Sequence, residues 1–398
     1  MQTVMSNFIK LLFCLWQGAC WGSFICDIKT MRIGIITLPL HTNYGGILQA
    51  YALQTVLERM GHEVEILEEP HEYKRASLKR YIRRVLKKCI GKRSVINYEG
   101  FMRKWQPKVA IDIDEFINTY IHRRIVKYNT LRDGEYDAFI VGSDQVWRPS
   151  YNHHLEKAFL DFTEDWKNVK RIAYAASFGT DEWEFTNEQT ELCKKLVQKF
   201  DFVSVREDSA VALCKEKFGI EAKHVLDPTM LLTDTDYYKI IGDIKISDSP
   251  YIFSYLLDEN KDKLSILDTV SKKLGLPVRK IKLDKDISKI PMSKLKSLIY
   301  PSVPKWLASF AQADFVVTDS FHGTVFSIIF NKPFVVLPNK GRGVARFESL
   351  LKAVGLENRI FSEYLISDNL YEDFPCQINN ILLEKSERIK LKIDSLLC

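Results

Sequence analysis

Short apolar runs alternate with longer stretches of helical pattern along most of this chain. The runs with the composition of strands are Ile33–Thr37, Glu63–Leu67, Ala138–Val141, Arg171–Ala175, Phe202–Val205, Tyr251–Leu256, Val278–Ile281, Phe315–Thr318 and Phe334–Leu337. Between them, apolar residues recur every three or four positions, as in the helix predicted over Ile47–Met60, which Gly61 ends. Alternation of this kind predicts a mostly parallel α/β sheet, and continuous apolar strands indicate that helices cover both of its faces.

Two domains are expected from the length of the chain, because 398 residues exceed what one ordinary hydrophobic core holds. Asp, Ser and Gly cluster over Thr233–Pro250, which predicts a linker ahead of the strand at Tyr251. We therefore expect an N-terminal domain over residues 31–240, a C-terminal domain over 248–362 and a helical tail over 363–398. The predicted fold is α/β, with two doubly wound Rossmann-like domains that face each other across a cleft.

The first thirty residues differ from the rest of the chain. Phe8–Cys26 is mostly apolar with Lys10 as its one charge, yet this stretch is short for a membrane span. Met31 stands directly before the first predicted strand. Residues 1–30 are interpreted as an overlong start or as a weak membrane- or signal-like segment, and secretion is a third alternative. We expect the fold to begin near Met31.

Composition places the chain among globular proteins and argues against several kinds of site. Hydrophobic residues make up 46% and charged residues 27%, and the net charge of +6 is too small to indicate nucleic-acid binding. The eight cysteines are scattered without a CxxC pair or a Cys/His cluster, so we expect reduced thiols and no metal site. The mild positive charge fits an anionic substrate, and the expected location is the cytoplasm.

A basic amphipathic helix is predicted over Ser77–Ile90. Its apolar residues are Leu78, Tyr81, Ile82, Val85, Leu86, Cys89 and Ile90, while Lys79, Arg80, Arg83, Arg84, Lys87 and Lys88 occupy the other face. A solvated face on a helix docked to its own domain explains this pattern. Peripheral contact with the inner face of the cell membrane, or with a phosphate-bearing lipid acceptor, is the alternative.

The turn after the strand Phe315–Thr318 carries the densest candidate chemistry. It contains Asp319, Ser320, His322 and Gly323, and a new apolar helical pattern follows at once. Ligands of open α/β sheets bind beyond the carboxyl ends of the strands, so these side chains would face the cleft. The helix N-terminus behind them would attract an anion, and Gly323 would let a ligand approach the backbone. A capping or packing role for His322 is the alternative.

Three further strand-end turns are polar. Their candidate residues are Asn43, Tyr44, Gly45, Gly46 and Gln49 in the first turn, Asp144, Gln145 and Trp147 in the second, and Ser177 in the third. Backbone N–H groups beside the paired glycines suit sugar hydroxyls or a phosphate, although the GxGxxG pattern of a dinucleotide site is absent. Asp144 would orient or deprotonate a hydroxyl, and Trp147 would stack on a sugar ring. The alternatives are a tight turn, a capping carboxylate and a buried indole.

Two groups of cationic residues complete the candidate set. Arg206 follows a strand and suits a carboxylate or a phosphate, unless it forms an ion pair with a neighbouring acidic residue. Lys340, Arg342 and Arg346 stand among glycines after the last predicted strand, which is typical of a loop folded over an anion. A solubilising surface is the alternative for this second group.

The ordered set of these segments resembles the polysaccharide pyruvyl transferase family. The matching pieces are Asn43–Gly46 with Gln49, Gly142–Trp147, Ala173–Gly179, Ser204–Glu207, Val225–Thr229 and Thr318–Gly323. Their order and spacing hold from about Met31 to Ile360. The resemblance implies a fold similar to two-domain GT-B glycosyltransferases. It also implies transfer of a pyruvyl group from phosphoenolpyruvate to two hydroxyls of a sugar in a cell-surface polysaccharide precursor, with formation of a ketal and release of phosphate.

The resemblance also implies residue roles at matching positions. In the family, an arginine in the position of Arg206 and a histidine in the position of His322 contact the donor. Many members have an Arg-Leu-His triplet where this chain has Ser320-Phe321-His322. Ser320 thus replaces one family arginine, and this replacement bears on the affinity for the donor or on its identity.

The chemistry of phosphoenolpyruvate adds further roles. Its phosphate and carboxylate require several cationic or N–H groups, and the predicted donor-binding residues are Arg206, Ser320, Gly323, Thr324, Lys340, Arg342 and Arg346. Protonation of the enol carbon requires an acid, for which we predict His322, with Asp319 orienting its ring and Asp144 accepting the hydroxyl proton. The predicted acceptor-binding residues are Asn43, Tyr44, Gly45, Gly46, Gln49, Gln145, Trp147 and Ser177. The scheme uses phosphoenolpyruvate as co-substrate, a saccharide or lipid-linked saccharide as acceptor, and no cofactor or metal.

Two other functions are open at this point. A GT-B-type glycosyltransferase that uses a nucleotide sugar would have the same architecture. A non-catalytic glycan-binding or scaffold protein with a degraded donor site would also fit, because Ser320 replaces the family arginine.

Overall fold

The structure is a computed structural model, and it describes residues 30–70, 78–89, 95–281, 287–296, 298–338, 343–361 and 377–397. Almost all of the extension predicted over residues 1–30 lies outside these ranges. Within them, no helix combines the length and the apolar character that crossing a membrane requires.

The first sheet has seven parallel strands. In chain order they are β1 (Arg32–Ile36), β2 (Glu63–Glu68), β3 (Arg123–Ile125), β4 (Ala138–Val141), β5 (Lys170–Ala176), β6 (Phe202–Val205) and β7 (Lys223–His224). Their spatial order is β3-β2-β1-β4-β5-β6-β7, and each of these neighbours pairs in parallel. The order reverses between β1 and β4, so a ligand is expected beyond the carboxyl ends of these two strands.

The second sheet is built from later parts of the chain. Its strands are β8 (Ile252–Tyr255), β9 (Val278–Lys280), β10 (Phe315–Thr318) and β11 (Phe334–Val336), in the parallel order β11-β10-β8-β9. Two parallel sheets with covering helices confirm the predicted α/β class with two Rossmann-like units. The prediction missed β3 and β7, because these edge strands are very short and consist mostly of exposed basic residues.

Helices cover both sheets, and one of them lies where a linker was predicted. They are α1 (Tyr44–Arg59), α2 (Leu78–Cys89), α3 (Tyr98–Val109), α4 (Ile111–Tyr120), α5 (Asn187–Val197), α6 (Asp208–Leu213), α7 (Asp234–Ile241), α8 (Lys261–Leu274), α9 (Met292–Leu295), α10 (Val303–Ala311), α11 (Phe321–Ile329), α12 (Ala345–Val354) and α13 (Gln377–Leu397). The linker predicted over Thr233–Pro250 is wrong in its first half, because Thr233 and Asp236 form a capping box that begins α7. Helix α13 packs against the segment that follows the first sheet, where Ser386 donates a hydrogen bond to the carbonyl of Leu231 over 3.3 Å.

Aromatic packing joins the two halves of the molecule. Tyr44 at the start of α1 stacks on Trp306 of α10 with ring centroids 5.2 Å apart, and its hydroxyl donates to the carbonyl of Pro301 over 2.5 Å. The backbone N–H of Tyr300 donates to the carbonyl of Val109 over 2.7 Å. One hydrophobic cluster continues through this junction from the first sheet to the second. As a result, strand ends from both sheets meet at a single cavity.

Candidate active site

A cavity of about 370 Å³ lies between the two halves. It is lined by Thr42, Asn43, Gly45, Asp144, Gln145 and Tyr151 from the first half, and by Tyr255, Leu257, Tyr300, Trp306, Asp319, Ser320, Phe321, His322 and Arg346 from the second. Polar groups, an imidazole, a guanidinium and several aromatic rings thus share one concave surface. This combination is typical of a small-molecule site.

The turn after β10 places His322 at the cavity. Ser320 caps α11 by accepting a hydrogen bond from the backbone N–H of Gly323 over 3.3 Å. His322 follows in the first turn of α11, and its ring reaches the N-terminus of α1. There a β-carbon on Gly45 would fall 2.0 Å from the His322 Nδ1 atom. A glycine is therefore required at position 45 for this close approach.

The carboxylate beside the His322 ring belongs to Asp227, which the sequence analysis assigned to no role. The His322 Nε2 atom lies 3.6 Å from Asp227 Oδ2. Asp319, the predicted partner, accepts hydrogen bonds from the backbone N–H of Leu257 over 2.5 Å and from Lys263 Nζ over 2.6 Å. The prediction that Asp319 orients the His322 ring is therefore wrong, because this carboxylate is occupied within its own half.

Asp227 lies at the centre of a buried network. Its Oδ2 atom accepts hydrogen bonds from Arg206 over 2.8 Å and from Ser143 Oγ over 3.2 Å, and its Oδ1 atom accepts from the backbone and hydroxyl of Thr229. Burial by itself raises the pKa of Asp227, but His322 and Arg206 outweigh burial and hold this pKa below its ordinary value. The carboxylate therefore stays charged.

Arg206 is held behind the cavity wall by acidic side chains. Its guanidinium lies 2.8 Å from Asp227, 3.4 Å from Asp144 and 3.8 Å from Glu207, and its central carbon lies 4.3 Å from the Phe321 ring centroid. Burial lowers the pKa of Arg206, but these carboxyl groups more than compensate and the pKa is raised. In this structure Arg206 joins Asp144 to Asp227, and it does not line the cavity as predicted for a donor-binding residue.

Arg346 brings a positive charge to the cavity wall. Arg346 lies in the first turn of α12 and is 6% exposed. Its guanidinium carbon lies 5.8 Å from the Phe321 ring centroid. Burial, together with repulsion from Arg206, lowers the pKa of Arg346 to about 10. An anion in the cavity would oppose this shift, because it stabilises the charged guanidinium. Lys340 and Arg342, predicted beside it, lie outside the described residues.

Asp144 and two amide side chains face the cavity from the first half. Asp144 has a φ of 66°, a left-handed conformation that is uncommon without glycine and clusters at functional sites. Its Oδ2 atom accepts a hydrogen bond from Asn43 Nδ2 over 3.2 Å. Gln145 lines the cavity and accepts a hydrogen bond from Arg148 over 3.0 Å. The structure thus brings the predicted Asn43, Asp144 and Gln145 together at the site.

Trp147 supports the site from behind. Its side chain is fully buried, stacks on Phe159 with ring centroids 4.7 Å apart, and donates to the carbonyl of Ala158 over 2.9 Å. The prediction that Trp147 stacks on a sugar ring is therefore wrong, because no face of the indole is accessible.

Other predicted residues are enclosed as well and hold the turns in place. Gln49 accepts a hydrogen bond from the backbone N–H of Ser143 over 2.8 Å, and Ser177 donates to Glu207. The predicted residues that do not line the cavity are Tyr44, Gly46, Gln49, Trp147, Ser177, Arg206, Gly323 and Thr324. The expectation that ligands bind beyond the carboxyl ends of the strands identified the correct turns, but it could not predict which of their side chains line the cavity.

An aromatic part of the wall was missed by the sequence analysis. Tyr151, Tyr255, Tyr300 and Trp306 line the cavity. Tyr151 is 48% exposed, so its ring suits the apolar face of a sugar and its hydroxyl suits sugar hydroxyls. Tyr255 and Tyr300 are buried, and Trp306 is as fully buried as Trp147, so these three rings shape the wall from behind. Tyr255 is the last residue of β8, so the expectation that ligands bind at strand ends could have identified it. Tyr151 and Tyr300 lie in loops and Trp306 lies in α10, and no sequence pattern indicates that these three residues line a cavity.

The described residues contain no group of three or more His, Cys, Asp or Glu side chains that could hold a metal ion. Cys193 and Cys214 are buried free thiols, and burial raises the pKa of each to about 12. These two thiols are therefore unsuited to act as nucleophiles.

Distantly similar solved structures cover nearly the whole chain. The glycotransferase of kitacinnamycin is 14% identical, with 93% of this chain and 100% of that chain covered and a TM-score of 0.41. S. aureus MnaA, in a co-structure with UDP, is 14% identical, with 92% and 97% covered and a TM-score of 0.46. UDP-GlcNAc 2-epimerase from Methanocaldococcus jannaschii is 14% identical, with 91% and 99% covered and a TM-score of 0.44. At TM-scores below 0.5, these likenesses support no functional argument.

Family membership follows from the sequence. No curated protein matches the chain significantly. The family model described as polysaccharide pyruvyl transferase matches residues 43–341, which include strand-end turns of both sheets and the turn that holds His322. The chain belongs to the polysaccharide pyruvyl transferase family.

Proposed function

We propose that this protein transfers a pyruvyl group from phosphoenolpyruvate to two hydroxyls of one sugar in a cell-surface polysaccharide precursor. The products are a cyclic ketal and phosphate. One observation carries the proposal: His322 and Arg346, an acid–base group and a cation, line the same cavity between the two sheets. Membership of a polysaccharide pyruvyl transferase family supports a saccharide as acceptor.

Positive charge at the cavity supports an anionic donor. Arg346 lines the wall, and its lowered pKa means that a carboxylate or phosphate beside it would be favoured. Helix α11 begins at the same turn, and the N-terminus of a helix attracts anions. Ser320 stands where many family members have arginine, so in this proposal Arg346 pairs with the donor in its place.

Each step of the reaction has a candidate group. His322 donates a proton to the methylene carbon of phosphoenolpyruvate, and a sugar hydroxyl attacks the neighbouring carbon as positive charge develops there. Asp144 accepts the proton that this hydroxyl loses. The second hydroxyl then attacks the same carbon while phosphate leaves with the C–O bonding electrons. Its proton restores His322, and the proton on Asp144 leaves with the phosphate.

The aromatic part of the wall supports a saccharide or lipid-linked saccharide as acceptor. Tyr255, Tyr300 and Trp306 come from the second half of the molecule, and Tyr151 comes from the first. A sugar ring that packs on Tyr151, which is 48% exposed, would present its hydroxyls to the amides and to Asp144, which line the same cavity.

We also propose that α2 holds the protein at the anionic inner face of the cell membrane. Tyr81, Ile82 and Leu86 are exposed by 48%, 48% and 59%. The helix contains six Lys or Arg residues and no acidic residue, a composition typical of interfacial binding. Arg84 joins it to α3 through an ion pair of 2.8 Å with Glu99, while Tyr81, Ile82 and Leu86 face solvent.

Release of phosphate tests the proposed reaction. Incubation with phosphoenolpyruvate and acceptors that contain galactose or mannose is expected to release phosphate and to add a ketal, measured by mass spectrometry of the saccharide. The variant His322→Gln is expected to lose about 10²–10⁴-fold in kcat while the protein stays folded, measured by circular dichroism. Absence of phosphate release with every acceptor of a broad panel contradicts the proposal.

Two further measurements distinguish the other functions. A thermal shift with uridine or guanosine diphosphate, but none with phosphoenolpyruvate, would favour a glycosyltransferase. Activity that appears only in the variant Ser320→Arg would indicate that the native protein binds glycans without catalysis.

A further inference from the structure

The contact between His322 and Asp227 joins the two halves of the molecule. Asp227 follows β7, the last strand of the first sheet, whereas His322 stands in the first turn of α11 after β10. Nε2 of His322 and Oδ2 of Asp227 are 3.6 Å apart, and the two side chains are 9% and 0% exposed. No hydrogen-bond partner reaches Nε2 within the described part of the chain. The separation is within the reach of an ion pair and slightly beyond a hydrogen bond.

The opposite edge of the His322 ring is also set by the first half. A β-carbon on Gly45 would lie 2.0 Å from Nδ1 and 2.2 Å from Cγ of this ring. Gly45 belongs to the first turn of α1 and lines the cavity. The imidazole is therefore enclosed between Asp227, on its Nε2 side, and Gly45, which lines the cavity, on its Nδ1 side.

From this geometry we infer that Asp227 is a positioning residue for His322, and that the proton donor is complete only when the two halves are together. The inference rests on the proposed function, because it concerns the group that protonates the donor. The negative charge of Asp227 holds the Nε2 proton of the imidazolium, which leaves the Nδ1 proton for phosphoenolpyruvate. After that transfer, the ring keeps its Nε2 proton toward Asp227, so the carboxylate sets both tautomer and orientation.

The distance of 3.6 Å is compatible with this role. Catalytic hydrogen bonds are often long without substrate and shorten in the complex. A donor that contacts Arg346 and His322 of the second half, with an acceptor that contacts Asp144 of the first, would draw the halves together. The contact between His322 and Asp227 would then shorten as the reactants bind.

Other charged groups face the same region from both halves. Arg206 lies beside Asp227, with Asp144 and Glu207 beside Arg206 in turn, and Arg346 and Asp319 line the cavity. Arg206 neutralises part of the Asp227 charge, but the carboxylate stays ionised because its pKa is held low. Tyr44, next to Gly45, stays neutral because burial raises its pKa. Asp319 does not compete for His322, since it is paired with Lys263.

A double-mutant cycle with Asp227→Asn and His322→Gln tests the inference in the full chain. If Asp227 acts through His322, Asp227→Asn lowers kcat about ten-fold or more and changes the KM for phosphoenolpyruvate less. In the His322→Gln background, the same substitution has little further effect on kcat. An equal loss of kcat in both backgrounds overturns the inference, because Asp227 would then act only through Arg206 or through the fold.

Unfolding midpoints of the same four proteins give a readout without catalysis. Because the two side chains lie 3.6 Å apart, the effects of the two substitutions on the unfolding midpoint should be less than additive. Additive changes in the unfolding midpoint overturn the inference. Coupling in a protein that releases no phosphate with any acceptor contradicts the proposed function, but it still supports the contact between His322 and Asp227.

Gly45→Ala applies the test if Asp227→Asn does not fold. The added methyl group would overlap the His322 ring, so the ring must move, and the substitution removes none of the groups that donate hydrogen bonds to Asp227. The expected loss in kcat is present with His322 and absent with His322→Gln. A Gly45→Ala protein with native kcat overturns the inference, because the position of the ring would then not matter.

Discussion

The two sides of the cavity are built in different ways. On the side of the first sheet, Arg206 lies 2.8 Å from Asp227 and 3.4 Å from Asp144, so buried charges satisfy one another. On the side of the second sheet, His322 and Arg346 direct an imidazole and a guanidinium at the cavity. The first side is held together by these buried contacts, and in the proposed reaction the second side supplies the groups that contact the reactants. A site of this kind is assembled by packing two halves, and neither half contains it alone.

The two aspartates near His322 show the same difference. Asp319 is close to His322 in the sequence, yet it pairs with Lys263 and fastens the turn to its own half. Asp227 is far away in the sequence, yet its carboxylate is the one beside the ring. Nearness along the chain is thus a poor guide to which acid serves a histidine.

Removal of the charge on Asp319 is expected to affect stability more than chemistry. Asp319→Asn leaves Lys263 buried without its carboxylate, and breaking a buried ion pair costs about 3–5 kcal/mol, measured by urea unfolding. Asp268→Asn, which removes an exposed pair with Lys272 on the same helix, is the control and should change stability little. A fully stable Asp319→Asn protein without activity would instead return Asp319 to a role at His322.

Arg346 on the second side should govern the affinity for the donor. Arg346→Met removes charged hydrogen bonds worth about 1.5–3 kcal/mol, so the KM for phosphoenolpyruvate should rise roughly ten- to hundred-fold with a smaller change in kcat. Addition of Ser320→Arg should restore part of the loss, because it returns a cation to the same cavity. The exposed Lys352→Met on the same helix is the control. An unchanged KM in Arg346→Met would show that the donor binds elsewhere.

The smallest expected effect concerns α2, none of whose described residues lines the cavity. Binding to vesicles that contain phosphatidylglycerol should weaken about five-fold for Lys79→Gln, because one basic residue near such a surface contributes about 1 kcal/mol. Leu86→Ser should also weaken it. Lys272→Gln and Leu391→Ser, at positions with comparable exposure on α8 and α13, are the matched controls. Equal binding to neutral and anionic vesicles, or none to either, contradicts membrane attachment through α2.

The strands were predictable because their signal is local. Each predicted run from Ile33–Thr37 to Phe334–Leu337 overlaps a strand. The buried strands β4, β8, β10 and β11 are continuous apolar runs or nearly so, as covering on both faces requires, whereas β9 is mostly exposed. The edge strands β3 and β7 lack this signal and gain their structure from a neighbour. The start of α7 was hidden in a polar segment, although Thr233 and Asp236 have the spacing of a capping box.

The turns of the site were predictable, but its partnerships were not. Asn43, Asp144 and His322 line the cavity because parallel strands end on one side of a sheet. The one clue to Asp227 is the Asp227-Pro228-Thr229 segment, in which the aspartate caps a short helical turn. Asp227 follows β7, which has no apolar pattern and was therefore not predicted as a strand. The search for polar residues at predicted strand ends thus did not include Asp227.

The sequence by itself determined the α/β class, the family and the polar turns, because these depend on residues that are neighbours along the chain. The tertiary structure alone decided that Asp227 serves His322, that Gly45 makes room for its ring, and that Trp147 is enclosed. The physical reason is that charge pairing and burial depend on distances between the two sheets, and packing sets those distances only after both sheets have formed.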